Sequence, residues 1–248
     1  KSRFASKELM EAEGITISRW HDGVLEDRAH LGQPTPIRAM IYWGHSPNSQ
    51  SRGRDVKKAM EQLDLMVVID PVPTASAVMS DRTDGIYLLP AGTTMEMAGS
   101  VTNSQRALQW REKVIDPIFE AKSDYEITYL ISRKLGIAEE MFKHIAVEAG
   151  HPSPEDILRE VNRGAWSVCY TGQSPERLKL HMQHQDKFDR VTTLGLPGTP
   201  VEGEYYGLPW PCWGRPDLKH PGTPLLYDSS KPVAKGGLPF RAAWGLEH

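Results

Sequence analysis

The chain has 248 residues, a net charge of -3 and two cysteines. That balance gives no electrostatic case for nucleic acid or for an anionic membrane surface, and two cysteines without a CxxC spacing make no metal site by themselves. No apolar run approaches the roughly 18 residues of a membrane span, while the length suffices for one large domain, or a domain with an appendage, around a substantial core.

Lys1 stands where an initiator Met is expected, which reads as the mark of a processed or excised piece. Lys1-Ser2-Arg3-Phe4 runs into polar sequence and not into a signal peptide. Leu246-Glu247-His248 fits native sequence and the start of a purification tag equally well. Ser6 to Ala12 favours helix and Gly14 stops it. The alternation of Ile15 to Trp20 predicts a short strand, closed by Asp22-Gly23. Asp27 to Pro36, with Gly32, Pro34 and Pro36, reads as connection.

From Ile37 the pattern becomes that of an α/β fold. Ile37 to Trp43 is apolar on both faces, as a parallel strand buried on both sides would be, and it ends in Gly44-His45-Ser46-Pro47-Asn48-Ser49-Gln50. Arg52 to Leu63 places Val56, Ala59, Met60 and Leu63 on one face of a helix. Leu65 to Ile69 is a second apolar strand, closed by Asp70-Pro71-Val72-Pro73-Thr74. Strand, helix and strand at this spacing make a βαβ unit, so both polar loops fall at the carboxyl ends of neighbouring parallel strands. Ala75 to Met79 allows a turn or two of helix, Asp81 to Gly85 is a turn, and Ile86 to Leu89 is the third strand. Pro90 to Arg106, with Gly92, Gly99 and many Ser and Thr residues, predicts irregular backbone wandering through a site. Leu108 to Pro117 is charged and mixed.

Three helices follow. Ser123-Asp124 caps Tyr125 to Leu135, which Gly136 ends; Ser153-Pro154-Glu155-Asp156 opens a helix to about Asn162; Ser174-Pro175-Glu176-Arg177 opens another to about Gln185. Beyond Phe188, residues 195–245 concentrate Gly and Pro together with Trp210, Trp213 and Trp244, which predicts an extended, ordered tail packed over another surface. The fold expected is thus α/β, a Rossmann-like parallel sheet with additional helices and an extended irregular carboxy-terminal tail. Its parts are a connecting segment at 1–36, an α/β ligand-binding part at 37–150, a helical segment at 151–190 and the tail at 191–248.

The strand ends are the candidate site. Backbone N–H groups from Gly44 to Gln50 suit a phosphate, and Asp70 suits a ribose hydroxyl or the N–H edge of a guanine. The alternative is that Gly44 and Pro47 only turn the chain and that Asp70 caps the next segment. No GxGxxG, GxxxxGK[ST], HExxH or GxSxG occurs. The His181 and His184 pair has no carboxylate or cysteine at metal-ligand spacing, so neither a catalytic centre nor a metal site is named.

These residues resemble a known family. The series Gly44-His45-Ser46-Pro47-Asn48, Leu65 to Thr74, Tyr87-Leu88-Leu89-Pro90-Ala91 and Gly99 to Arg106 is similar to the large subunit of molybdopterin-dependent oxidoreductases. Ser104 to Val114, Tyr170 to Leu178, Gly207 to Gly214 and His220 to Asp228 look most like the catalytic subunit of formate dehydrogenases. The resemblance implies a molybdenum or tungsten enzyme with a molybdopterin guanine dinucleotide cofactor and a 4Fe–4S cluster. It implies formate as substrate and an iron–sulfur electron-transfer subunit as partner, and a periplasmic or cytoplasmic location. It further implies that this chain is a fragment, inactive alone, which needs the remainder of the catalytic subunit for its cluster cysteines and metal ligand; Cys169 and Cys212 match neither. By the same resemblance Gly44, His45, Ser46 and Asn48 meet the cofactor's phosphates, Asp70, Pro71 and Thr74 lie near its nucleoside, and Asn103 and Arg106 close around the site. Many relatives carry an Asp four residues before the Pro of the third strand; here that position is Ile86, and Asp84 is the nearest substitute. Two other readings stay open, a non-enzymatic α/β module for a nucleotide or protein, and a molybdopterin enzyme with another substrate.

Overall fold

The computed structural model describes residues 14–27, 31–33, 35–102, 107–164, 174–207 and 217. The chain divides into two compact units, one of Lys1–Thr93 with Pro117–Asp124 and one of Thr94–Asp116 with Tyr125–His248.

The first unit opens differently from expectation. Ile17–Arg19 forms a 3-10 turn, followed by helix α1 (Asp22–Leu25), where the alternation of residues 15–20 predicted a strand. The turn closes on Arg19 N–H donating to Thr16 O at 2.8 Å, and Trp20 drops into the core at 2% exposure. Among the described residues this alternating run has no strand edge to pair with, and extension alone gains it nothing.

Strand β1 (Ala39–Trp43), helix α2 (Gly53–Gln62), strand β2 (Leu65–Asp70), helix α3 (Ala75–Val78) and strand β3 (Ile86–Pro90) follow the order read from the apolar runs. The three strands form a parallel sheet in the order β1-β2-β3, with Tyr42, Val68 and Leu88 in one row and Trp43, Ile69 and Leu89 in the next. Val56, Ala59 and Met60 of α2, with Leu63 after it, pack on Tyr42, Met66 and Val68 and on Trp20. Burying that stripe is what fixes α2 as the crossover. The expectation that β1 is buried on both sides fails among the described residues: Ile41 is 48% exposed, and Tyr87, two strands away in the same row, is 60% exposed. One face of the sheet carries the core, and on the other Ile41 and Tyr87 stand exposed while Ile69 is fully buried.

The second unit contains a strand pair where irregular backbone was expected. Strand β4 (Gly99–Thr102) pairs antiparallel with β5 (Leu108–Arg111), from Gly99 opposite Arg111 to Thr102 opposite Leu108. Gly99 has φ +150, a value that excludes a side chain, and the Tyr125 hydroxyl lies against the position a Cβ would take. Helix α4 (Asp124–Lys134) stops at Gly136, φ +73, as a left-handed residue stops a helix. Helix α5 (Ala138–Met141), the two-residue strands β6 (Val147–Glu148) and β7 (His151–Pro152), helix α6 (Pro154–Gly164) and helix α7 (Pro175–Gln183) complete it. The cap expected at Ser174 is present, its Oγ accepting from Arg177 N–H at 3.1 Å. Leu108, Trp110, Leu158 and Leu178 form the core here, and Lys179 Nζ lies 4.9 Å from the Trp110 ring centroid. The tail expected beyond Gly207 lies outside the described residues apart from Asp217, as do Cys169 and Cys212. No helix among the described residues is long and apolar enough to cross a membrane.

Candidate functional site

The loops after β1 and β2 meet at the carboxyl edge of the sheet, inside the first unit. Gly44 N–H donates to Ile69 O at 3.0 Å, the last rung of the β1–β2 ladder, and Gly44 then turns the chain at φ +56. Pro47–Ser49 makes a 3-10 turn, with Gln50 N–H returning to Pro47 O at 3.0 Å. Ser46 Oγ donates to Asn48 Oδ1 at 2.5 Å, and Ser49 Oγ donates to Ser46 O at 3.1 Å. The backbone N–H groups of His45 and Ser46 have no partner among the described residues.

Asp70 is the last residue of β2 and half-buried. Its Oδ2 accepts from Thr74 Oγ1 at 3.3 Å, while Thr74 itself occupies the capping position of α3. The carboxylate therefore orients the cap residue and does not serve as the cap. Pro71 is exposed between them. Ser76, fully buried, donates its hydroxyl to His45 O and so ties the second loop to the first. The end of β3 joins the same edge, with Ala91 N–H donating to Asp70 O at 3.2 Å and Gly92 N–H to Lys122 O at 2.7 Å. Trp43 Nε1 donates to Asp124 Oδ1 at 2.7 Å beside it.

The structure thus brings Gly44, His45, Ser46, Asn48, Asp70, Pro71 and Thr74 to one edge. It does not bring Asp84 there. Asp84 is exposed and precedes β3, in which Ile86 pairs with Met66 near the start of β2. A five-residue parallel strand separates it from the Pro90 end, about 17 Å at 3.3 Å per residue. Asn103 and Arg106 lie outside the described residues. Three residues that sequence reasoning did not single out hold the loops in place, Ser76, Gln50 and Trp20. Their partners are 31, 5 and 30 positions away, and no local pattern announces such pairings.

Behind the first loop, Asp22 is 1% exposed and pairs with Arg19 Nε and Arg52 Nη1, each at 2.8 Å. Burial pushes its carboxyl up, but the two guanidinium groups outweigh that and hold it below the ordinary aspartate value. Arg52 also holds Asp55 Oδ2 at 2.8 Å. Its charge is shared between those two carboxylates, with the side chain half exposed. No group of three or more His, Cys, Asp or Glu side chains among the described residues is placed to hold a metal ion.

The arrangement offers N–H and amide donors on one loop and a carboxylate on the next, which suits an anion next to a donor-bearing group. Gly44→Ala is expected to cost about 1–2 kcal/mol in urea unfolding, the usual penalty of a left-handed L-residue, because a Cβ there meets only open space and adds no clash.

A parallel sheet with polar loops gathered at its carboxyl edge defines the fold class, a Rossmann-like α/β unit. The chain belongs to the molybdopterin oxidoreductase family, whose model matches residues 7–134. A Staphylococcus aureus protein provisionally named formate dehydrogenase is 34% identical over 159 residues, 64% of this chain and 13% of that protein. The F420-dependent formate dehydrogenase subunit alpha of Methanocaldococcus jannaschii is 27% identical over 192 residues, 77% of this chain and 22% of the subunit. Among solved structures, acetylene hydratase from Pelobacter acetylenicus overlaps with a TM-score of 0.40 at 18% identity, over 77% of this chain and 25% of that one. The chain therefore spans a minor part of the length of its relatives.

Proposed function

We propose that this chain is the part of a formate dehydrogenase catalytic subunit that holds one guanine dinucleotide arm of a molybdopterin cofactor. The observation that carries the reading is the joining of the Gly44–Ser49 and Asp70–Thr74 loops at one sheet edge through Ser76 and His45. The free N–H groups of His45 and Ser46, with the NH₂ of an Asn48 amide whose oxygen is held by the Ser46 hydroxyl, fit phosphate oxygens. Asp70, fixed by Thr74, fits the N–H edge of a guanine or a ribose hydroxyl. The pterin-held metal, molybdenum or tungsten, would supply the redox chemistry of the whole subunit, in which formate gives carbon dioxide, a proton and two electrons. An iron–sulfur cluster and an iron–sulfur partner subunit would carry those electrons away. This chain's residues bind and orient: Gly44 lets the loop turn over the strand end, and Asp70 discriminates the base. Asn103 and Arg106 belong to the same proposal as residues that close over the site.

Calorimetry with GDP tests it. Asp70→Ala is expected to weaken GDP binding by about 1.5–3 kcal/mol, the usual worth of a hydrogen bond to a charged group. Equal affinity in wild type and variant, or no GDP binding by the folded chain, would overturn the assignment.

A further inference from the structure

Behind the 44–50 loop lies a line of hydrogen bonds whose directions are fixed by chemistry. Trp20 is buried, and its Nε1 donates to Gln50 Oε1 at 3.1 Å. An indole N–H is a donor only, so the Gln50 amide must turn its oxygen toward Trp20 and its NH₂ toward the other side. There it meets His45 Nε2 at 3.0 Å. The amide nitrogen can only donate, so His45 Nε2 must accept and carry no proton. A neutral imidazole with Nε2 bare holds its proton on Nδ1.

The ring is held as well as the proton. Tyr42 stacks on His45 with an interplanar angle of 7° and a centroid separation of 6.3 Å, and Trp20 meets Tyr42 edge-on at 82° and 6.0 Å. His45 O is taken by Ser76, so backbone and side chain are both fixed. Nδ1 has no partner among the described residues. It belongs to the residue whose own N–H is also free, at the start of the loop proposed above to hold phosphate.

We propose that Trp20 and Gln50 are positioning residues that lock His45 as its Nδ1–H tautomer, making it a neutral hydrogen-bond donor to the anion held on the 44–50 loop. The donor half rests on the nucleotide reading of that loop; the tautomer lock does not. The lock matters because the opposite tautomer would present a lone pair to the anion and repel it.

Long-range ¹⁵N–¹H correlation spectra of the ¹⁵N-histidine-labelled chain test both halves. Without ligand, His45 is expected to show the Nδ1–H pattern. Trp20→Phe frees the amide to flip and is expected to give a mixture of tautomers. Gln50→Glu, which keeps an acceptor for Trp20 but turns an acceptor toward His45, is expected to move the proton to Nε2. A wild-type Nε2–H pattern, or a pattern unchanged in both folded variants, overturns the lock. On adding GDP the His45 Nδ1 resonance is expected to shift, and His45→Phe is expected to weaken GDP binding roughly five- to tenfold, the worth of one hydrogen bond. GDP binding seen by calorimetry with an unmoved Nδ1 resonance overturns the donor role alone. No GDP binding overturns the nucleotide reading and the donor role together, while the ligand-free spectra still decide the lock.

Discussion

Arg177→Met is expected to destabilise the second unit by about 3–5 kcal/mol, the cost of taking one member out of a buried ion pair. Arg177 and Glu204 are both fully buried, and Arg177 Nε and Nη2 each lie 3.0 Å from Glu204 Oε2. His181 Nε2 shares that oxygen at 3.1 Å, and Gly207 N–H donates to His181 Nδ1 at 3.2 Å. The same donor logic makes His181 the Nε2–H tautomer, so a histidine considered for a metal is a structural bridge from α7 to the segment at 204–207. Against a total stability of about 5–15 kcal/mol, the single substitution should leave a large unfolded fraction in urea titrations. The double variant Arg177→Met with Glu204→Leu should recover most of the loss, since an apolar pair of similar volume needs no desolvation. A double variant as unstable as the single one would show that the wider network and not the broken ion pair matters.

The same cluster sets a pH dependence. Burial pushes the Glu204 carboxyl up, but the His181 hydrogen bond and the Arg177 guanidinium outweigh it and hold the group below the ordinary glutamate value. A carboxylate with a lowered folded value contributes stability above its unfolded value and loses it as pH falls through the folded one. The second unit should therefore keep this contribution at neutral pH and lose it in acid, and the Glu204→Leu double variant should lose less stability between about pH 6 and about pH 3, read from acid-unfolding midpoints.

The sheet and α2 are legible in the sequence because a continuous apolar run and a stripe at helical spacing each have one cheap way to be buried. The strands β4 and β5 are harder to see. Gly99–Thr102 has the composition of a loop, and its partner spans only Leu108–Arg111, although the buried Leu108 and Trp110 alternating with Gln109 and Arg111 carry the period of a strand. Ile15 to Trp20 shows the converse, a strand period in a segment that turns. The site residues at 44–48 and 70–74 are legible because strand direction alone places them. Asp84 shows where nearness in sequence misleads: it is a few residues from Leu89, yet a parallel strand carries it to the opposite edge. The supports at Trp20, Gln50 and Ser76 depend on pairings that form only after the chain has folded.

How one-sided the sheet's burial is can be measured by paired truncations. Met60→Ala is expected to cost about 2–5 kcal/mol, the range for a large side chain removed from a packed core, because Met60 is fully buried between α2 and the face that carries Met66 and Val68. Ile41→Ala should cost about 1 kcal/mol or less, since a side chain 48% exposed gives up only part of its transfer free energy. Urea unfolding followed by Trp20 and Trp43 fluorescence reads both. Ile41 sits on β1 two residues before the Trp43 that ends the strand, so the loop at Gly44 should keep its shape, and GDP affinity, when Ile41 is cut. Met60→Ala should lower apparent affinity only in proportion to the unfolded fraction, because the buried cluster around Met60 contains none of the residues proposed to meet the ligand. Equal costs for the two truncations would mean that Ile41 is packed as tightly as Met60, and its reading as an exposed edge position would be wrong.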